Sequence, residues 1–151
     1  MAEKRIIESI NCFIHHNEPR DEEVTLLLKK ARTIAIVGLS DTPTRDSHSV
    51  ALYMMEKGYK IIPVNPKCSE ILGEKSYPDL LSIPDKVDIV DIFRKTEFIA
   101  EIVDEAIKIK AGAVWMQLDL YHEQAARKAR EAGLTVIESK CIKIEHAVLL
   151  G

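Results

Sequence analysis

From Thr33 onward the chain alternates regularly between short apolar runs and amphipathic stretches. The runs are Thr33–Val37 (TIAIV), Tyr59–Val64, Val87–Phe93, Ala113–Met116 and Leu134–Glu138, each near-continuous in apolar character. Strands buried on both faces look like this. Between them the apolar spacing changes to the helical period. A helix is predicted at about Ser47–Lys57, stopped by Gly58 in the position favoured for a left-handed cap. A second begins at a cap residue, Thr96, and keeps Phe98, Ile99, Ile102, Val103, Ala106 and Ile107 on one face. A third, near 122–132, carries Ala125, Ala126, Ala129 and Ala132, small enough for close approach to a sheet. Pro78 and Pro84 break the long connection after the second strand, and residues 141–150 form a short helical tail. Ahead of all this, residues 4–15 and 21–31 read as two helices separated at Asn17–Pro19, with Asp21 a candidate cap for the second. The fold class that follows is α/β: a Rossmann-like, doubly wound, five-stranded parallel sheet in three layers, with an N-terminal helical extension. Residues 1–30 are expected to form that extension, packed on the domain formed by residues 31–151.

Ligands of such sheets bind beyond the carboxyl ends of the strands, where strand order reverses. The first of those loops runs Gly38-Leu39-Ser40-Asp41-Thr42-Pro43-Thr44-Arg45-Asp46-Ser47. A glycine directly after a buried strand permits a tight turn and close approach to a ligand. The following helix directs unpaired N–H groups and its positive dipole end at the loop, a place for phosphate. Arg45 and the hydroxyls of Ser40 and Ser47 add donors. A plainer alternative has Gly38 turning the chain and Asp46 or Ser47 capping the helix. The loop lacks the second and third glycines of the dinucleotide fingerprint and the lysine of a P-loop. At the end of the second strand stand Asn65, Pro66 and Lys67, where a NAD site would place an acid for the ribose diol. A lysine there favours phosphate, so NAD(P) is the less favoured ligand. The third strand ends in Phe93-Arg94-Lys95, an aromatic and two cations, and the fourth in Trp115-Met116-Gln117.

Composition adds limits. The 151 residues suffice for one core, and 46% are apolar and 30% charged. A formal net charge of −3 gives no global field for nucleic acid or an anionic membrane, so an anion must be held locally. The apolar runs are too short to span a bilayer, and the N-terminus lacks a signal peptide's uniform apolar middle. Cys12, Cys68 and Cys141 are far apart without a CxxC pair, which argues against a disulfide framework or a metal cluster. The expectation is a cytoplasmic protein without metal.

Taken together, IAIVGLS (34–40), Arg45 with Ser47, GYKIIPVNP (58–66), ILGEKSYPDLLSIPDKVDIVDIFR (71–94), VWMQ (114–117), AARKAREAGLTVI (125–137) and CIKIEH (141–146) resemble the CoA-binding domain family. That family is related to the N-terminal domain of the succinyl-CoA synthetase α-subunit, and the likeness is greatest to its small stand-alone members. The resemblance covers about residues 30–150. It implies coenzyme A as ligand, held by its ADP moiety on Gly38, Ser40, Arg45, Ser47, Asn65, Pro66, Lys67, Phe93 and Arg94, with Gln117 near the pantetheine side. One departure is Asp119, where relatives usually have glycine.

The resemblance implies a carrier, sensor or regulatory module for CoA or acyl-CoA, since the synthetases need further domains. The alternative is a small CoA- or nucleotide-dependent enzyme using Glu145 and His146. A histidine beside a glutamate is more often a structural hydrogen-bonding pair. Cys68 invites a mixed disulfide with the CoA thiol, against a plain role as a small apolar side chain. Partners other than the small molecule stay open: Ile6, Ile7, Ile10 and Phe13 suit packing on the domain or on a second copy.

Overall fold

The structure, a computed structural model, describes residues 18–151. The helix expected over residues 4–15, with Ile6, Ile7, Ile10, Phe13 and Cys12, lies outside the described residues. The elements are α1 (Asp21–Lys30), β1 (Thr33–Val37), α2 (Asp46–Glu56), β2 (Lys60–Val64), β3 (Glu70–Ile71) and β4 (Glu74–Lys75). A 3₁₀ turn (Leu80–Ser82), β5 (Ile89–Ile92), α3 (Thr96–Lys108), β6 (Ala113–Met116), α4 (Glu123–Glu131), β7 (Thr135–Ile137) and α5 (Ile142–Leu149) complete them.

Five strands form one sheet in the order β2-β1-β5-β6-β7, and every pairing is parallel. The chain steps from β1 outward to β2, then returns to the other side of β1 to place β5. The strand order therefore reverses between β1 and β5, and a crevice opens there at the carboxyl ends.

Alternate residues of each strand feed two apolar layers. Ile34, Ile36, Ile61, Ile89, Trp115 and Ile137 meet α1, α2 and α5. Ala35, Val37, Ile62, Val90, Ile92, Val114 and Met116 meet α3, α4 and the 3₁₀ turn. This two-sided demand is why the strands read as continuous apolar runs. Helix α1 belongs to the first layer, with Val24 and Leu28 each 1% exposed. Trp115 is fully buried, and its indole Nε1 donates to the Lys140 carbonyl at 2.7 Å. That bond removes the ~1–3 kcal/mol cost of a buried unpaired donor.

Several boundaries differ from the sequence reading. The N-caps of α1, α2 and α3 are Arg20, Arg45 and Lys95, without side-chain cap bonds; Asp21 and Thr96 begin their helices instead. Acidic first turns (Asp21, Glu22 and Glu23; Asp46; Glu97) complement the dipoles. Ala132 is the exposed C-cap of α4 rather than part of its buried alanine face.

The connection after β2 holds a hairpin that the sequence reading passed over. Leu72 and Gly73 turn it with φ of 55° and 78°, the doubly left-handed pair that a two-residue hairpin needs. Tyr77 then bridges Val64, and its N–H donates to the Pro63 carbonyl at 3.0 Å. Pro63 is tolerable because β2 is an edge strand of the main sheet.

Candidate functional site

A cavity of about 900 Å³ opens at the carboxyl ends of β1, β2 and β5. Nine of the ten site residues proposed from sequence line it: Gly38, Ser40, Arg45, Ser47, Asn65, Pro66, Lys67, Phe93 and Arg94. These come from three loops far apart in the chain, and the strand-order reversal brings them together.

Gly38 is required here on two counts. Its φ of 88° is left-handed, and a Cβ on it would collide with the Phe93 carbonyl oxygen. Gly38 N–H donates to Val64 O at 2.9 Å, and Phe93 N–H donates to Val37 O at 2.8 Å. The three strand ends are thus tied into one rim.

The hydroxyls act differently from the simple donor role. Ser47 Oγ accepts from Ser40 N–H at 3.0 Å, and Ser40 Oγ accepts from Thr42 N–H at 3.0 Å. Each fixes the loop as an acceptor and still has its own proton to donate. Asn65 acts as a clamp: Nδ2 donates to Leu39 O at 3.0 Å, and Oδ1 accepts from Lys67 N–H at 2.9 Å. Its side-chain amide shapes the turn that presents Pro66 and Lys67. The first turn of α2 adds backbone N–H groups without intrahelical acceptors, at Asp46 and Ser47.

Arg45, Lys67 and Arg94 are exposed, and among the described residues none forms an ion pair. Arg94 is oriented by Phe98, its guanidinium carbon 4.2 Å from the ring centroid. Three cations without an ion pair among the described residues, beside a helix N-terminus, can hold a polyanion.

Gln117 is not among the cleft-lining residues. It is 5% exposed and donates its Nε2 to Asp91 Oδ1 at 2.5 Å. Asp91 is fully buried on the α1–α2–α5 side of the sheet, and its Oδ2 has no partner. Burial first raises the Asp91 pKa to about 7, opposed by the Gln117 hydrogen bond.

His146 also stands outside the cleft lining. It is 7% exposed, Tyr53 Oη and its Nδ1 lie 3.0 Å apart, and Tyr53 and Tyr59 pack edge-on against the ring. Burial, with Lys57 nearby, lowers its pKa. The cluster joins α5 to α2 and the β2 edge. Glu145 is not a partner of His146 in it. Cys68 likewise lies beyond the lining, and burial with Asp41 nearby raises its thiol pKa, which disfavours the reactive thiolate. Asp119 adopts φ of 67°, the conformation glycine prefers, and its N–H donates to Ser139 Oγ at 3.0 Å.

The second wall of the cleft escaped the sequence reading. Pro78, Asp79 and Leu80 face Phe98, Glu101, Ile102 and Glu105 of α3. Phe98 and Ile102 read as plain core positions. Glu101 and Glu105, following them at helical spacing, were the available sign that this stripe borders solvent.

A doubly wound sheet with a cleft at its reversal point is the architecture of a ligand-binding α/β domain. Residues 32–147 match the family described as CoA binding domain, and the chain belongs to that family. It is 42% identical over 130 residues to "Uncharacterized protein YneT" of Bacillus subtilis, covering 86% of this chain and 96% of that protein. It is 35% identical over 86 residues to "Acetate--CoA ligase [ADP-forming] II" of Archaeoglobus fulgidus, covering 55% of this chain but 13% of the ligase. Among solved structures, a hypothetical protein from Pyrococcus horikoshii superposes with a TM-score of 0.87 at 44% identity, covering 89% of this chain and 95% of that one. A dinucleotide-forming acetyl-coenzyme A synthetase from Ca. Korarchaeum cryptofilum, in complex with phosphate and ADP, gives a TM-score of 0.64 at 25% identity. The match covers 69% of this chain and 25% of the synthetase. The domain thus stands alone in some relatives and forms a small part of large ligases in others.

Proposed function

We propose that the cleft binds coenzyme A or an acyl-CoA through its ADP moiety, and that the protein acts as a carrier, sensor or regulatory module in the cytoplasm. The observation that carries this reading is the convergence of Arg45, Lys67 and Arg94, free of ion pairs among the described residues, on the cavity rimmed by Gly38. Coenzyme A supplies the matching charge, a diphosphate and a 3′-phosphate within one half of the molecule. Charge-assisted bonds to such groups contribute about 1.5–3 kcal/mol each. Family membership supports the same ligand. In this reading Gly38 admits the diphosphate, Ser40 and Ser47 donate to it, and Phe93 flanks the nucleotide. The role of Gln117 becomes indirect, through the placement of the β5 and β6 ends.

The enzyme alternative through Glu145 and His146 gains no support, because His146 is held by Tyr53 away from the cleft lining. Among the described residues no helix is long and apolar enough to cross a membrane, and no group of His, Cys, Asp and Glu is arranged to hold a metal ion.

Calorimetric titration with CoA, NAD, NADP and ATP tests the proposal, after removal of any ligand retained from expression. Micromolar or tighter binding of CoA with the others weak is the expected result. Preferential binding of NAD or NADP would overturn it.

A further inference from the structure

The cleft is charged unevenly. Arg45, Lys67 and Arg94 all lie at the strand ends, with Asp46 the single carboxylate among the lining residues there. The wall leading away along α3 carries Glu101 and Glu105, and Asp79 stands on the turn packed against it. Phe98, whose ring lies under the Arg94 guanidinium where this wall meets the strand ends, lines the cleft with the largely buried Ile102 and Leu80. Glu105 is fixed in place, because its Oε1 accepts from the Leu80 N–H at 3.2 Å. Asp79 is fixed by Ser82, whose N–H donates to Oδ1 at 2.8 Å. Among the described residues none of the three is neutralised by an ion pair.

Coenzyme A is charged unevenly in the same sense. Its phosphates all sit on the adenosine half, whereas the pantetheine arm is neutral, offers amide N–H donors and ends in the thiol. Opposite placement would bring the 3′-phosphate against Glu101 and Glu105 and leave the cations facing a neutral chain. Charge matching therefore sends the arm along α3, between an apolar floor and carboxylate acceptors.

We propose that Glu101 and Glu105, with Asp79, make the cleft select free CoA and thioesters of neutral acyl groups, and reject acyl groups that carry a carboxylate. This rests on the coenzyme A reading and goes past it to the class of thioester. A third carboxylate brought into the same partly solvated groove is repelled by both glutamates, which should weaken its binding by roughly tenfold. The effect shrinks as salt screens the exposed Glu101.

Affinities for free CoA, and for butyryl-CoA and succinyl-CoA with their four-carbon acyl chains, provide the test at low and high salt. The expected order is CoA and butyryl-CoA alike, with succinyl-CoA roughly tenfold weaker at low salt. Glu101→Gln with Glu105→Gln should narrow that gap to within about threefold, the two thioesters being compared on the same variant so that any change in CoA affinity itself cancels. The amide oxygen introduced at position 105 would still accept the Leu80 N–H, and the exposed Glu101→Gln alone should close part of the gap. Equal affinity of the wild type for butyryl- and succinyl-CoA, with CoA itself bound tightly, overturns this inference alone. A gap that persists in the double variant overturns it too. Failure of all three thioester and thiol ligands to bind overturns the coenzyme A reading and this inference with it.

Discussion

Gln117 donates its side-chain amide to Asp91 across the β5–β6 pair at 2.5 Å, leaving the second Asp91 oxygen buried without a partner. A carboxylate in that position would be a buried charge with one hydrogen bond. The neutral acid is the form that suits it, and burial raises its pKa to about 7.

Stability should therefore depend on pH with a defined sign. Between about pH 4 and pH 7 the native state holds a proton at Asp91 that the unfolded chain has lost. Stability then falls as pH rises through this window, by up to roughly 4 kcal/mol, and levels off above pH 7. Asp91→Asn removes the titration while keeping the acceptor for Gln117. Urea denaturation should find the stability of the variant relative to the wild type rising from pH 5 to pH 7 and constant above that. A constant difference across that range would show that Asp91 does not titrate there.

Gly38→Ala drives a methyl group into the Phe93 carbonyl oxygen and forces a non-glycine residue to φ of 88°. The loss should be about 2 kcal/mol or more in denaturation. Coenzyme A affinity should fall as well, because relief of the clash separates the β1 and β5 loops. Undiminished stability would mean that the two loops are not packed as described.

Arg45→Ala should weaken CoA by ~1–3 kcal/mol and leave pantetheine, which lacks phosphate, unchanged. Calorimetry with both ligands makes the comparison. Equal affinity of variant and wild type for CoA would remove Arg45 from the site.

His146→Gln should leave CoA affinity unchanged and cost about 1 kcal/mol through the lost Tyr53 bond. His146 has a native pKa below its ordinary value, so its contribution is present above about pH 6.5 and is lost as pH falls through the native value. The stability difference between wild type and variant should shrink from pH 7 to pH 5. A large loss of ligand affinity would instead restore the Glu145/His146 reading.

Asp119→Gly relieves a left-handed φ of 67° and should raise stability by about 0.5 kcal/mol, with CoA binding unaffected. Thermal or urea unfolding reads the gain. A loss of stability would mean that the Asp119 side chain, rather than its N–H to Ser139, holds the loop.

The alternation of apolar runs and helical periods was enough to determine the five strands of the main sheet, the helices that cover them and the loops at their carboxyl ends, because burial on both faces of a sheet is written locally in residue type; the short β3–β4 hairpin, not buried in that way, left no such pattern. That alternation also brought forward Gly38, Arg45, Lys67 and Arg94 as candidates, and the fold places all four on one cleft. What each polar side chain faces was decided elsewhere. Asn65 closes its own turn, Ser47 accepts from Ser40, Gln117 turns inward to Asp91, and His146 meets Tyr53 from 93 positions away. The acidic wall of Asp79, Glu101 and Glu105 exists only because the 3₁₀ turn packs on α3. Hydrogen bonds act through space over about 3 Å and fields over about 10 Å. Their partners are therefore set by strand register and by the packing of distant segments, neither of which the local pattern of apolar and polar residues specifies.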